Sequence, residues 1–288
     1  MGSILIRGIP HTYVLTPPRT NGHGVLVFIH GWLLSHVYWH PLFAALQDQF
    51  QCLAYDLRGF GDSPLPEHPE DSSYSPAAYA EDLGILLTEL KIERAWLIGH
   101  SLGGTIALWG ASLYPDRVCG AICINAGGGI YLKEEFERFR TFGQRLVQFR
   151  PPWLGQLPGL DWIFSRFSVA HPLDRVWGQR RCQDFLRADQ TAALRALLES
   201  TTEEQVHQLP QLVSQLSQPV YFIGGDRDPI MEPQYVRHLA SFHPLFQDCG
   251  ANWIELSPCG HFAMLEQTAS VADSVKQWVL KSCVLESR

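Results

Sequence analysis

Ile98-Gly99-His100-Ser101-Leu102-Gly103-Gly104 decides how this 288-residue chain is read. The apolar run Ala95 to Ile98 leads into it, and a helix-like run, Thr105 to Leu113, leads out. A strand that turns at once into a helix forces its corner residue into a strained backbone conformation. Gly99 and Gly103 carry no Cβ, so two backbones can approach closely at that corner. Ser101 is then presented at the tip, and the N–H of Leu102 points from the helix start to the place where an oxyanion would form. The same residues also fit an ordinary glycine-rich turn with a serine at a helix start. The chemistry therefore depends on finding a base, an acid and a second N–H donor elsewhere in the chain.

Composition narrows the class. The net charge is −7 and there is no basic run, which argues against a nucleic-acid partner. No uncharged apolar stretch reaches the roughly 18 residues that a transmembrane helix needs. Arg7, Gly8 and Pro10 fall where a signal peptide would have its apolar centre, and Ile6 stands where a myristoylation signal needs Ser or Thr. The seven cysteines include no Cys-x-x-Cys pair, so a reducing compartment is expected, with the cytoplasm as the default. Cys259 lies two residues before His261 and is a second possible nucleophile; it reads better as a packed thiol. No metal-ligand spacing or cofactor motif appears, and neither a metal nor an organic cofactor is expected.

Along the chain, Ile4 to Ile6 and Tyr13 to Leu15 predict two short opening strands, followed by turn signals at Pro17-Pro18 and Asn21-Gly22. Val25 to Ile29, Cys52 to Tyr55, Ala95 to Ile98, Val118 to Ile124 and Val220 to Ile223 are continuous apolar runs, as expected of strands buried on both faces. Trp253 to Leu256 is the last strand. Helical patterns separate them: His36 to Leu46, a helix capped by Ser75-Pro76 and running to Leu90, Pro233 to Phe242, and Glu266 to Cys283. Strands alternating with helices predict an eight-stranded, mostly parallel sheet with helices on both faces, and such sheets place their sites at the carboxyl ends of the strands. Between residues 126 and 218 the pattern changes. Helical stretches (Lys133 to Phe149, Gln179 to Phe185, Thr191 to Ser200) are interrupted by Pro151-Pro152, Pro158-Gly159, Pro172 and Pro210, and Trp153, Trp162, Phe164, Phe167 and Trp177 make the segment aromatic. It reads as a helical lid, 126–218, inserted into a core formed by 1–125 and 219–288.

Three further candidate sites follow predicted strands. His30-Gly31-Trp32 ends one strand, and its Trp32 N–H is a candidate second oxyanion donor. His261, after the last strand and shielded by Phe262, is the candidate base. Gly225-Asp226-Arg227-Asp228-Pro229 offers two carboxylates. Asp228, farther past the strand end and stiffened by Pro229, is preferred as the acid over Asp226, with Glu232 third. His100 precedes Ser101 along an extended chain and so points away from it. His30 is structural or lines a pocket; His100 and Phe262 are further pocket-lining candidates. Asp56 and Arg58 are read as braces of the Asp56 to Ser63 loop.

Taken together, His30-Gly31-Trp32, D-x-R-G-x-G-x-S at Asp56 to Ser63, G-H-S-L-G-G at Gly99 to Gly104, Gly225-x-x-Asp228 and Gly260-His261 resemble the α/β-hydrolase superfamily over nearly the whole chain. The resemblance implies Ser101 as nucleophile, Asp228 as acid and His261 as base, with oxyanion donors at Trp32 and Leu102. It implies a serine hydrolase acting on a small molecule, for which the aromatic insertion suggests an apolar ester, and a monomer or weak homo-oligomer. Ser101 disfavours members that use Asp at the corner. Thioester or C–C bond cleavage and perhydrolysis stay open on the same residues. From another class, a non-catalytic small-molecule-binding protein of the same fold is the rival.

Overall fold

The computed structural model describes residues 1–18, 23–66, 73–127 and 133–286; the turn expected at Asn21-Gly22 lies outside them. Eight strands, β1 (Gly2–Ile6), β2 (Ile9–Leu15), β3 (Val25–Ile29), β4 (Gln51–Tyr55), β5 (Ala95–His100), β6 (Val118–Ile124), β7 (Val220–Gly225) and β8 (Trp253–Leu256), form one sheet. Their order is β1-β2-β4-β3-β5-β6-β7-β8. β2 runs antiparallel to both of its neighbours, and every pairing from β4 through β8 is parallel.

Successive side chains of a strand point to opposite faces, and that alternation divides the core. Val27, Ile29, Leu97, Ala121 and Phe222 pack to one side, beneath α2 (Pro76–Glu89) and α3 (Leu102–Leu113). Leu26, Phe28, Trp96, Ile98 and Ile223 pack to the other, against α1 (His40–Leu46) and the C-terminal helix. All residues of β5 and β7 are buried, so these strands lack the apolar–polar alternation of a half-exposed strand.

Between β6 and β7 come α4 (Lys133–Gln148), α5 (Leu160–Phe164), α6 (Arg175–Arg187), α7 (Gln190–Ser200) and α8 (Glu203–Gln215). Two expectations need correction here. The pattern Gln179 to Phe185 is only the interior of α6. Pro210, read as a break, sits inside α8. Proline removes one helical hydrogen bond, but Thr202 caps α8 by accepting from the N–H of Gln205, and Val206, Leu209, Leu212 and Val213 bury one face. After β7 follow α9 (Pro233–Ala240), α10 (Ala263–Glu266) and α11 (Thr268–Glu286). Glu266, expected to open the closing helix, ends the separate turn α10 instead. Its carboxylate accepts from the backbone N–H groups of Ala170, Gly260 and Phe262 and so organises the loop that carries His261. No helix among the described residues is long and apolar enough to cross a membrane.

Candidate active site

The corner at Ser101 is set by close backbone packing. Ser101 has φ 52° and ψ −121°, a region that L-residues occupy only under strain. Its N–H donates to the Ile124 carbonyl at the end of β6. A Cβ on Gly99 would lie 2.0 Å from the Gly103 carbonyl oxygen, and one on Gly103 would lie 2.1 Å from that of Ile29. Strand, turn and α3 therefore approach at backbone contact, a distance that only glycine permits.

His261 and Asp228 meet beside this corner. The Nδ1 of His261 lies 2.8 Å from Oδ2 of Asp228. The other carboxylate oxygen, Oδ1, accepts from the N–H groups of Ile230 and Met231. Burial alone would raise the Asp228 pKa. The facing imidazole and these N–H donors outweigh it and hold the carboxyl below its ordinary 3.8. Asp226 is spent elsewhere, accepting from Ser257 Oγ and the Cys259 N–H. Glu232 is exposed at the start of α9. Cys259 is fully buried, and burial pushes its thiol up, away from the reactive thiolate.

One cavity of about 470 Å³ has Trp32, His100, Ser101, Leu102, His261 and Phe262 among its lining residues. With Nδ1 of His261 engaged by Asp228, Nε2 is the nitrogen left for the cavity. Ser101 Oγ and His261 are not hydrogen-bonded to each other here; such contacts often tighten only when substrate binds. The N–H of Leu102 belongs to the first turn of α3, where helical donors have no partner within the helix. Among the described residues, neither it nor the N–H of Trp32 donates to an acceptor.

His30 corrects an expectation: it does not line this cavity. It is fully buried, and burial lowers its pKa to about 4. Nε2 accepts from the N–H of Leu57, so Nδ1 carries the proton and donates to the Gly31 carbonyl at 2.8 Å. The carbonyl and N–H of one trans peptide point in opposite directions. Anchoring Gly31 O thus turns the Trp32 N–H the other way. His100 does line the cavity. It donates through Nε2 to the His261 carbonyl, and burial holds its pKa down at about 3. Asp56 and Arg58 do brace their loop: Asp56 accepts from the N–H groups of His36 and Asp62, and Arg58 binds Asp82 and the Ser73 carbonyl.

Sequence reasoning missed three contributors. Asn125, fully buried at the end of β6, donates to both Asp228 Oδ2 and the Gly260 carbonyl, tying the acid loop to the histidine loop. A polar residue ending an apolar strand, level with the Ser101 corner, was the signal that pointed to it. Ser168, between α5 and α6, accepts the His261 N–H on its carbonyl. Arg181 of α6 stacks on Phe262, with its guanidinium carbon 4.1 Å from the ring centre. Neither of the last two carried a sequence signal, because both reach the site from a segment with no strand to register it.

The sequence matches the family described as "alpha/beta hydrolase fold" over residues 24–268. The chain belongs to the α/β-hydrolase family and is a hydrolase of that family. It is 28% identical over 276 residues to an uncharacterized protein of Mycobacterium tuberculosis, covering 91% of this chain and 77% of that one. Over 160 residues it is 35% identical to a putative carbamate hydrolase of Enterobacter cloacae, covering 53% of this chain and 58% of the relative. The enol-lactonase of Burkholderia xenovorans shares the fold with a TM-score of 0.77 at 22% identity, over 97% of this chain and all of that one.

Proposed function

We propose that the protein is a serine hydrolase that cleaves a carboxylic ester through an acyl-enzyme. One observation carries this reading: the strained Ser101 corner and His261, paired with Asp228 at 2.8 Å, line the same cavity. His261 Nε2 takes the Ser101 proton as Oγ attacks the acyl carbon, while Asp228 holds the Nδ1–H tautomer. The N–H groups of Trp32 and Leu102 receive the developing oxyanion; losing one such donor typically costs about 10²–10³ in rate. His261 then protonates the departing alcohol. It next activates a water that releases the acid and restores Ser101.

In the same reading, residues 126–218 are a lid over a core of 1–125 and 219–288. Phe139, Phe142, Leu146, Phe164 and Phe185 from that segment line the cavity, which supports an apolar acyl or alcohol group in the substrate. Cys123, Cys182, Cys249 and Cys259 are free thiols, which supports a reducing, cytoplasmic compartment.

A fluorophosphonate probe should label the wild type, and Ser101→Ala should abolish labelling while leaving Tm near the wild-type value. Turnover of p-nitrophenyl esters should fall by at least about 10⁴ in that variant. Near wild-type turnover by Ser101→Ala would sink the assignment. Folded wild type that takes up no probe would favour the binding-protein reading.

A further inference from the structure

The cavity wall holds a buried cation that has no carboxylate within 4 Å among the described residues. α6 carries four arginines. Arg175 pairs with Asp161 at 2.5 Å, Arg180 with Asp184 at 3.0 Å and Arg187 with Asp62 at 2.7 Å. Arg181 is the most buried of the four, at 6% exposure, yet among the described residues it has no carboxylate within 4 Å. This reverses what solvation favours, since an unpaired charge is costliest where water is excluded. Glu266, the carboxylate whose charge acts on Arg181, is already shared among three backbone N–H groups.

Arg181 is held firmly. Nη1 donates to the carbonyls of Phe164 and Phe167, and the guanidinium lies over the rings of Phe164, Phe167 and Phe262. Among the described residues its Nε and Nη2 hydrogens have no acceptor. Burial lowers its pKa to about 10, which leaves it cationic at neutral pH. Beside it in the chain fold is Ser168, next to the carbonyl that Arg181 grips. Ser168 is about nine-tenths buried and lines the same cavity, and among the described residues its hydroxyl has no hydrogen-bond partner. A guanidinium edge with a free hydroxyl nearby is the donor set that a carboxylate uses.

We propose that Arg181 and Ser168 form an anion subsite, so that the ester hydrolysed at Ser101 carries a carboxylate on the same molecule, at the far side of Phe262 from the reacting bond. The inference rests on the hydrolase reading above and names its substrate class. Phe262 touches both centres: its ring is 5.5 Å from that of His261 and 4.1 Å from the guanidinium carbon. The apolar remainder of the cavity accommodates the hydrocarbon between the two polar ends.

The test compares p-nitrophenyl monoesters of linear dicarboxylic acids, four to ten carbons long, with the same compounds capped as neutral methyl esters. At one chain length or more, wild type should favour the free acid by at least tenfold in kcat/KM. That ratio should approach one in Arg181→Met and fall several-fold in Ser168→Ala. Arg175→Met removes a charge from the same helix and should leave the ratio intact. Free dicarboxylates should inhibit turnover of a neutral ester competitively and raise Tm, whereas the matching diamides should do neither; this arm needs only wild-type protein. The subsite is overturned by a ratio near one across the series with no inhibition by the diacids, or by a preference that Arg181→Met keeps. Fluorophosphonate labelling of Ser101 reports separately on the hydrolase reading, and the Tm arm reads the subsite even if labelling fails.

Discussion

The cavity has two walls built by different means. One is made by the carboxyl ends of β3, β5, β6 and β7 and the turns that leave them. Backbone is pressed against backbone there, so closely that a Cβ on Gly99 would lie 2.0 Å from the Gly103 carbonyl oxygen, and buried polar groups are held by named partners. The other is made by the helices between β6 and β7, and it presents side chains. Phe142 and Phe167 line the cavity on one side and stay 59% and 53% exposed overall. Trp153 and Trp162, which help to make the segment aromatic, stay largely exposed and are not among the residues lining the cavity. A wall fixed by the main chain tolerates little change and suits bond-making geometry. A wall fixed by side chains can be altered residue by residue and suits selection of the substrate.

The largest expected effect lies on the main-chain wall. Asp228→Asn should keep the loop but present the wrong imidazole tautomer, lowering kcat by roughly 10³–10⁴. Steady-state kinetics check this, and a loss below tenfold would show that Asp228 does not orient His261. Next comes a paired contrast between the walls. Gly103→Ala drives a methyl into the Ile29 carbonyl and should destabilise the fold by about 3 kcal/mol. Phe142→Ala should cost under about 1 kcal/mol and move KM for a long apolar ester more than kcat. Denaturant titrations of both variants, with kinetics on the second, give the comparison. Equal destabilisation would erase the difference between the walls.

A separate effect, spread over several residues, is a pH dependence of stability. Burial lowers His11 and His30 to about 4 and His100 to about 3, from an ordinary 6.5. Below pH 6.5 the unfolded chain binds protons that these folded rings refuse, so stability falls as the pH drops from 6.5 toward 4. Each ring contributes at most about 1.4 kcal/mol per pH unit in that window. Of the three, His100 lines the main-chain wall and His30 holds the Gly31 carbonyl behind it. Unfolding free energies measured at pH 7, 6 and 5 should decline; a flat profile would mean that these rings take up protons inside the fold.

Much of the first wall was legible along the chain, and the second was not. Ser101, Trp32, Asp228 and His261 each follow a predicted strand, and parallel strands bring their carboxyl ends to one edge. His30 was harder to place. A histidine at a strand end looks the same whether it faces a cavity or holds a carbonyl, and only its bonds to Leu57 and Gly31 decide. In the insertion no sheet supplies a register. Helices pack through side chains whose partners lie far along the chain, so Arg181 over Phe262 and Ser168 against His261 left no local trace.

The sequence by itself determined the alternation of strand and helix, the glycine corner at Ser101 and the placing of Ser101, Asp228 and His261 after strands, because hydrophobic periodicity and the need for a missing Cβ are local properties. Only the tertiary structure decided that Asp228 and not Asp226 faces His261, that Asn125 joins their loops, and that one buried arginine of α6 has no carboxylate within 4 Å among the described residues. Those outcomes depend on which distant groups share a buried space, where each donor and each charge must find a partner or go without.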